Sequence, residues 1–173
     1  MSEEPKEEVE TPKEEAVEGS VWDGAKKLIE EAEKEKEFIP KVRDRSLCPC
    51  KSKFAYSDCC APYHRGHSRP KTAEQLMRSR YSAYFFRLVD YLVETTHPET
   101  RDKGLRRELK KTIHQANWSF LTVLNTSKGQ ANDKTGKVEF VAEYFVQGEP
   151  FELHEKSRFK KVKGVWKYLD DKG

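Results

Sequence analysis

The sequence predicts an α+β domain in which helices pack on one face of an antiparallel sheet. Apolar residues recur at three- and four-residue steps through residues 72–116, which is the period of a helix. From Trp118 to residue 170 they recur at every second position, which is the period of a half-buried strand. Because the helical segments come first and the strands follow as one run joined by short turns, the strands should form an antiparallel meander.

The N-terminal segment is expected to lie outside this domain. Residues 1–20 are rich in Glu, Pro and Lys and offer little to bury, so they are predicted to be a disordered acidic tail. Residues 21–45 are predicted to form a weakly amphipathic helix and a linker, because apolar residues recur at helical spacing over residues 22–32 and Pro40 ends the pattern. Residues 1–40 hold 14 acidic side chains against six lysines, a net charge of −8, and the remainder carries +11. The body should therefore prefer anionic partners.

The chain contains no apolar run that suits a secretory signal or a membrane span. We therefore expect a cytoplasmic protein without a membrane span. In a reducing cytoplasm, clustered cysteines hold metal more often than they form disulfides.

All the cysteines fall within thirteen residues, in the pattern C-x-C-x8-C-C. They are Cys48, Cys50, Cys59 and Cys60. Four thiolates complete the tetrahedral shell of one structural zinc ion and leave no open position for catalysis. A disulfide within the adjacent pair would be strained, and the C-x-x-C pattern of a redox centre is absent. His64 and His67 are close enough in sequence to replace a thiolate, but we interpret them as surface residues.

Two helices are predicted ahead of the sheet. Thr72 and Gln75 form a capping box, and one apolar face then runs for five turns until His97-Pro98 ends the helix. A second helix is predicted over residues 102–116, with its apolar positions facing inward and its basic residues outward. Those inward positions are Leu105, Leu109 and Ile113.

The alternating pattern resolves into four strands. They are predicted over residues 118–127, 137–147, 150–162 and 165–170. A polar loop over residues 125–137 separates the first two, and short turns at Gly148-Glu149-Pro150 and Lys163-Gly164 join the others.

The cysteine segment CPCKSKFAYSDCC resembles the SEC-C motif, a small zinc knuckle. It departs from the usual motif at Lys51 and Lys53, where glycine is usual, and at Phe54, where lysine is usual. Together with TAEQLMRSRYSAY, DYLVETTHPETR, VEFVAEYF, LHEKSRF and GVWKYLD, it makes residues 46–170 resemble the YchJ-like family. The resemblance implies a zinc knuckle over residues 46–70 and an NTF2-like cone over residues 71–173, with helices on a curved antiparallel sheet. It implies no established biochemical role.

NTF2-like cones often enclose a pocket, and strand parity suggests what would line one here. Alternation places Glu155 and Ser157 on the face of the third strand that also carries Phe151, Leu153 and Phe159, which should face the core. His154 and Arg158 should then face solvent. The candidate site residues are Glu155, Arg80 and Tyr81, as acid–base or ligand-orienting groups. The alternative is a buried Glu155–Arg80 ion pair that only fixes helix to sheet.

Two functional hypotheses follow. In the first, the chain is a zinc-bearing adaptor whose knuckle docks on a protein or ribosomal surface, with Lys51, Lys53 and Arg65 as candidate binding residues. In the second, it is a small-ligand-binding protein or enzyme that uses the pocket around Glu155 and Arg80. The basic body could also bind nucleic acid, or form a generally solvated surface. The sequence favours a protein that is not an enzyme, because it shows no catalytic triad order, phosphate-binding glycine loop or paired acids.

Overall fold

The computed structural model describes residues 45–173, so the predicted tail and the predicted helix that follows it lie outside the described residues. A 3₁₀ turn, Tyr56–Asp58, precedes four helices. The helices are α1 (Ala61–His64), α2 (Ala73–Phe86), α3 (Val89–Thr95) and α4 (Leu105–Thr112). The strands are β1 (Asn117–Lys128), β2 (Thr135–Val146), β3 (Glu149–Val162) and β4 (Val165–Asp170). The strands form one antiparallel sheet in the order β1-β2-β3-β4, which confirms the predicted meander.

The first predicted helix begins where the capping box places it, but it is interrupted. The Thr72 side chain accepts a hydrogen bond from the backbone N–H of Gln75 at 3.1 Å. The prediction of a single five-turn helix is wrong, because Arg87 takes a left-handed conformation (φ 61°) and ends α2. The backbone N–H of Leu88 then bonds back to the carbonyl of Ala83 at 2.8 Å, and α3 begins at Val89. The apolar pattern continues across this break, so periodicity does not indicate it.

Helix α4 is shorter than predicted but presents the predicted face. Ile113 is buried and Leu105 and Leu109 are half-buried, whereas its basic residues are exposed. Leu109 and Ile113 pack with Leu92 of α3 in a small second apolar cluster.

The first hairpin is longer than the sequence suggested. Strand β1 continues to Lys128, so the loop predicted over residues 125–137 shrinks to residues 129–134. Gly129 and Gly136 lie against each other and against Ala73, and the Ala73 N–H donates to the Gly129 carbonyl at 2.8 Å. These contacts hold the turn end of the hairpin against the start of α2.

One continuous apolar core joins the cysteine segment to the sheet through α2. It runs from Cys50 and Tyr56 through Leu76 of α2 to Phe159 and Trp166 of the sheet. The indole N–H of Trp166 also donates to the carbonyl of Lys71 at 3.0 Å, just before α2 begins. Helix α2 therefore contacts the cysteine segment on one side and the sheet on the other.

Candidate metal centre and cavity

The four cysteine sulfurs converge on one point. All four Sγ atoms lie within 4.8 Å of one another, and three of the four residues are buried. The Sγ–Sγ distance is 3.5 Å from Cys50 to Cys59 and 3.8 Å from Cys59 to Cys60. A tetrahedral site with Zn–S bonds of about 2.3 Å has sulfur–sulfur edges of about 3.8 Å. No disulfide links the cysteines, so the cluster is compatible with binding one metal ion.

The loop between the two cysteine pairs is held by its backbone. Leu47 and Ala55 form an antiparallel bridge, and the Cys48 N–H donates to the Phe54 carbonyl at 2.8 Å. Lys51 and Lys53 both adopt left-handed conformations, with φ of 60° and 70°. Glycine enters this region without steric cost, whereas a residue with a Cβ does not. The backbone of this turn therefore has the conformation that glycine favours at residues 51 and 53, but lysines occupy these two strained positions.

Helix α2 supplies contacts to the cysteine cluster that the sequence did not reveal. The Ser82 hydroxyl lies 3.5 Å from Cys60 Sγ and 3.6 Å from Cys48 Sγ, fully buried. Arg78 donates from Nη1 to the Cys50 carbonyl at 2.8 Å. These residues lie four apart on one helical face, and that polar face was the signal available in the sequence. Within the loop, Ser52 Oγ lies 3.1 Å from Cys59 Sγ.

The thiols cannot all ionise without a cation. Hydrogen bonding within the cluster, from Cys48 first, lowers the pKa of Cys59 to about 7 and also lowers the pKa of Cys50. Hydrogen bonding and burial raise the pKa values of Cys48 and Cys60. Four thiolates in this volume would repel one another strongly, so full deprotonation requires a positive ion at the centre.

His64 is a structural residue, and its interpretation as a surface residue was wrong. Its Nε2 lies 2.8 Å from the carbonyl of Ser79, which can only accept, so Nε2 carries the proton. Its Nδ1 therefore accepts from the Tyr56 hydroxyl at 2.7 Å. Burial lowers the pKa of His64 to about 4, and the ring is neutral at pH 7. His67 is exposed, as predicted.

Two of the three candidate docking residues, Lys51 and Lys53, lie on a loop that we call the knuckle loop (residues 47–54). Lys51 and Lys53 are exposed, and so are Leu47, at 72%, and Phe54, at 65%. The Lys51 ammonium lies 4.9 Å from the centre of the Phe120 ring on β1. Arg65 is exposed one residue beyond α1.

A cavity of about 230 Å³ lies between α2 and the sheet. Half of the residues that line it are aromatic, and all three candidate site residues of the second hypothesis line it: Glu155, Arg80 and Tyr81. Ser157 and Tyr168 add hydroxyl groups. The prediction from strand parity therefore holds for Glu155 and Ser157. It is wrong for Phe151, which is 48% exposed and stacks on Tyr144 near the end of the sheet.

Arg80 and Glu155 share the cavity but form no salt bridge, so the predicted direct ion pair is wrong. Arg80 is 8% exposed, and its Nη1 donates to the Leu92 carbonyl at 2.9 Å and to Thr95 Oγ1 at 2.6 Å. Its guanidinium also lies over the Tyr168 ring, 4.5 Å from the centre. Glu155 instead accepts hydrogen bonds at Oε1 from Ser157 and from Tyr168, the latter at 3.4 Å.

Tyr81 is buried and its hydroxyl has no hydrogen-bond partner among the described residues. Burial raises its pKa, so the phenol is neutral at pH 7.

On the outer face of the sheet, His154 is exposed and bonds to Glu139 at 3.0 Å, and Arg158 pairs with Asp170. The expected solvent-side positions of His154 and Arg158 are confirmed.

Comparisons with known proteins agree with this architecture. Residues 72–171 match the family model described as the middle NTF2-like domain of YchJ. The chain is 41% identical over 125 residues to a UPF0225 protein of Vibrio parahaemolyticus, covering 72% of this chain and 74% of that protein. It is 39% identical over 126 residues to a UPF0225 protein of Photorhabdus laumondii, covering 72% and 79%.

Two solved structures have the same fold. The solution structure of a SEC-C motif containing protein from Rhodopseudomonas palustris has a TM-score of 0.66 and 35% identity, covering 72% of this chain and 96% of that one. The crystal structure of a SEC-C motif containing protein from Psychrobacter arcticus has a TM-score of 0.64 and 30% identity, covering 75% and 83%. These matches confirm the predicted NTF2-like fold with a cysteine cluster on its N-terminal side. In the part of the chain that is described, no helix is long and apolar enough to cross a membrane.

Proposed function

Because this chain belongs to the YchJ-like family, we propose that it is a cytoplasmic adaptor whose SEC-C-type knuckle holds one structural zinc ion and docks on a partner surface. The observation that carries the proposal is the exposure of Leu47 and Phe54 on the knuckle loop, beside two lysines. Exposed large apolar side chains grouped with charge are typical of interaction sites. The division into a knuckle over residues 46–70 and a body over residues 71–173 is part of this proposal.

The zinc ion would be held by Cys48, Cys50, Cys59 and Cys60, with Ser82 and Ser52 hydrogen-bonded to the sulfurs. Bound there, it would supply binding energy that keeps the loop folded, and four protein ligands leave no position for a substrate. Metal analysis of purified protein should give one zinc per chain, and Cys59→Ser should lower that content. Substoichiometric zinc with four reactive thiols in the folded wild-type protein would contradict this part of the proposal.

The docking surface combines an apolar contact with positive charge. A complementary partner would present an apolar patch beside acidic groups, which describes a protein surface better than a bare nucleic acid. Zinc-loaded protein should capture such a partner, and Phe54→Ser should weaken capture without changing zinc content. Leu124→Ser is the matched control, because Leu124 is also an exposed large apolar residue (51%) but lies on β1 outside the knuckle loop.

Three results would bear on this adaptor role. Loss of the same partner in Cys59→Ser and Phe54→Ser, with retention in Leu124→Ser, would support it. Equal capture by all variants would refute it. Cosedimentation with ribosomes that depends on Phe54 would assign a ribosomal rather than a free protein partner.

A second function, small-ligand binding, is favoured by one specific observation. The cavity holds a buried arginine, Arg80, that forms no salt bridge with a carboxylate of residues 45–173, although Glu155 lines the same cavity. A buried charge without a contacting counterion is costly, and a ligand placed between the two groups would offset that cost. Binding in the cavity should be retained in Phe54→Ser, which separates this function from docking.

A further inference from the structure

Two oppositely charged side chains of the cavity, Arg80 and Glu155, have hydrogen-bonding atoms without a partner among the described residues. Every hydrogen bond that Arg80 makes to the described residues comes from Nη1, so its Nε and Nη2 donors are unused there. The two hydrogen bonds that Glu155 accepts both reach Oε1, and no described residue donates to Oε2. Tyr81 also lines the cavity, and its buried hydroxyl has no hydrogen-bond partner among the described residues. The cavity therefore offers donors and an acceptor that the described protein leaves unsatisfied.

The charge of the cavity restricts what can enter it. Arg80 and Glu155 together carry no net charge, so an ionic ligand would satisfy one of them and be repelled by the other at low effective dielectric. A neutral ligand with an N–H donor and a carbonyl acceptor side by side satisfies both. The donor would face Glu155 Oε2, and the carbonyl would face the unused donors of Arg80 or Tyr81.

The size and walls of the cavity restrict the ligand further. Its volume of about 230 Å³ exceeds the roughly 150 Å³ that admits benzene in an engineered apolar cavity and is below the roughly 300–1,000 Å³ of drug-sized pockets. The walls include the rings of Tyr84, Trp118, Phe140 and Phe159. Aromatic walls of this kind favour a flat ring system through stacking and edge-to-face contacts.

We propose that the cavity binds a neutral, planar heterocycle of one or two fused rings that carries adjacent N–H and C=O groups on one edge. This inference rests on the second proposed function, ligand binding in the cavity, and specifies its ligand class. Glu155 accepts a hydrogen bond from the N–H group of that edge, and Arg80 donates one to its carbonyl. These two residues therefore determine the specificity of the cavity.

Isothermal titration calorimetry on the zinc-loaded full chain tests the proposal with four probes of similar size. Isoquinolin-1(2H)-one is neutral and carries the adjacent N–H and C=O groups, whereas isoquinoline has the same two-ring skeleton without the N–H donor or the carbonyl. The anion 1-naphthoate and the cation 1-naphthylmethylammonium complete the set. The lactam should bind at least tenfold more tightly than each of the others, since a site built to pair both groups rejects analogues that leave one unpaired.

Variants then test whether Glu155 reads the donor. Glu155→Gln should reduce lactam affinity about tenfold, because it replaces a charged acceptor with a neutral amide, and should leave isoquinoline affinity within twofold. Glu152→Gln is the matched control, because Glu152 lies on the same strand but is exposed and outside the cavity. It should change neither affinity.

The outcomes separate the ligand class from the binding function itself. If isoquinoline binds as well as the lactam, or if Glu155→Gln leaves the lactam preference intact, the cavity binds ligands but the proposed class is wrong. If a charged probe binds most tightly, the charge-balance argument is wrong. If no probe binds to folded, zinc-loaded protein, both the ligand class and the small-ligand function are overturned, and the adaptor role is unaffected.

Discussion

Replacing Lys53 by glycine should stabilise the protein. Lys53 lies at φ 70°, and a left-handed conformation costs a residue with a Cβ about 1–2 kcal/mol. Glycine removes that cost but adds about 0.4–1 kcal/mol of backbone freedom to the unfolded chain. The net gain should be about 0.5–1 kcal/mol for Lys53→Gly. It is measured as the free energy of unfolding in urea at a fixed concentration of free zinc.

Lys51 provides an internal comparison. Its φ is 60°, but its ammonium lies 4.9 Å from the centre of the Phe120 ring. An exposed cation–π contact contributes about 0.5–1 kcal/mol, which Lys51→Gly would lose, so that variant should be close to neutral. Lys53→Ala keeps the Cβ and should bring no gain. The reasoning is refuted if Lys53→Gly is no more stable than Lys53→Ala.

Three further predictions concern the contacts around α2 and the first hairpin. The pKa of His64 is about 4 in the folded protein, below its unfolded value of about 6.5. The free energy of unfolding should therefore fall as the pH is lowered from 6.5 to 4, by up to about 1.4 kcal/mol per pH unit. When the free energy of unfolding is measured in urea at several pH values, that of His64→Gln should change less with pH than that of the wild type. An equal dependence on pH would contradict this. Ser82→Ala should weaken zinc binding about tenfold in a chelator competition, whereas the exposed Ser127→Ala should not; equal affinities would remove Ser82 from the site. Gly136→Ala would place a Cβ 2.5 Å from the Gly129 Cα, so it should cost about 1–3 kcal/mol in thermal unfolding, and an unchanged melting temperature would show that the hairpin can move.

Local patterns predicted most of the elements correctly. The N-cap at Thr72, the alternation over β2 and the alternation over residues 153–160 of β3 depend on neighbouring residues only, and all three are observed. The break at Arg87 could not be predicted, because no glycine or proline marks it and the apolar pattern of α2 continues into α3. Strand β1 ends at Lys128, one residue beyond the strand predicted over residues 118–127, where it pairs with Gly136 of β2.

Some features of the candidate site could be predicted from the sequence, and others required the structure. Spacing alone grouped the four cysteines, and strand parity alone placed Glu155 and Ser157 in the cavity wall. The relation between Glu155 and Arg80 needed the structure, because a hydrogen bond depends on side-chain direction to within fractions of an ångström. Arg80 turns to the Leu92 carbonyl and the Tyr168 ring, which no sequence period indicates.

The sequence by itself determined the fold class, the cysteine cluster and the two unusual lysines, because periodicity, ligand spacing and residue type are local properties of the chain. Only the tertiary structure decided that Ser82 lies against the sulfurs, that His64 is hydrogen-bonded between Tyr56 and Ser79, and that Arg80 and Glu155 line one cavity without a salt bridge. These features arise where α2 packs between the cysteine segment and the sheet. Contacts between residues distant in sequence depend on how whole elements pack, and packing is a property of the folded core.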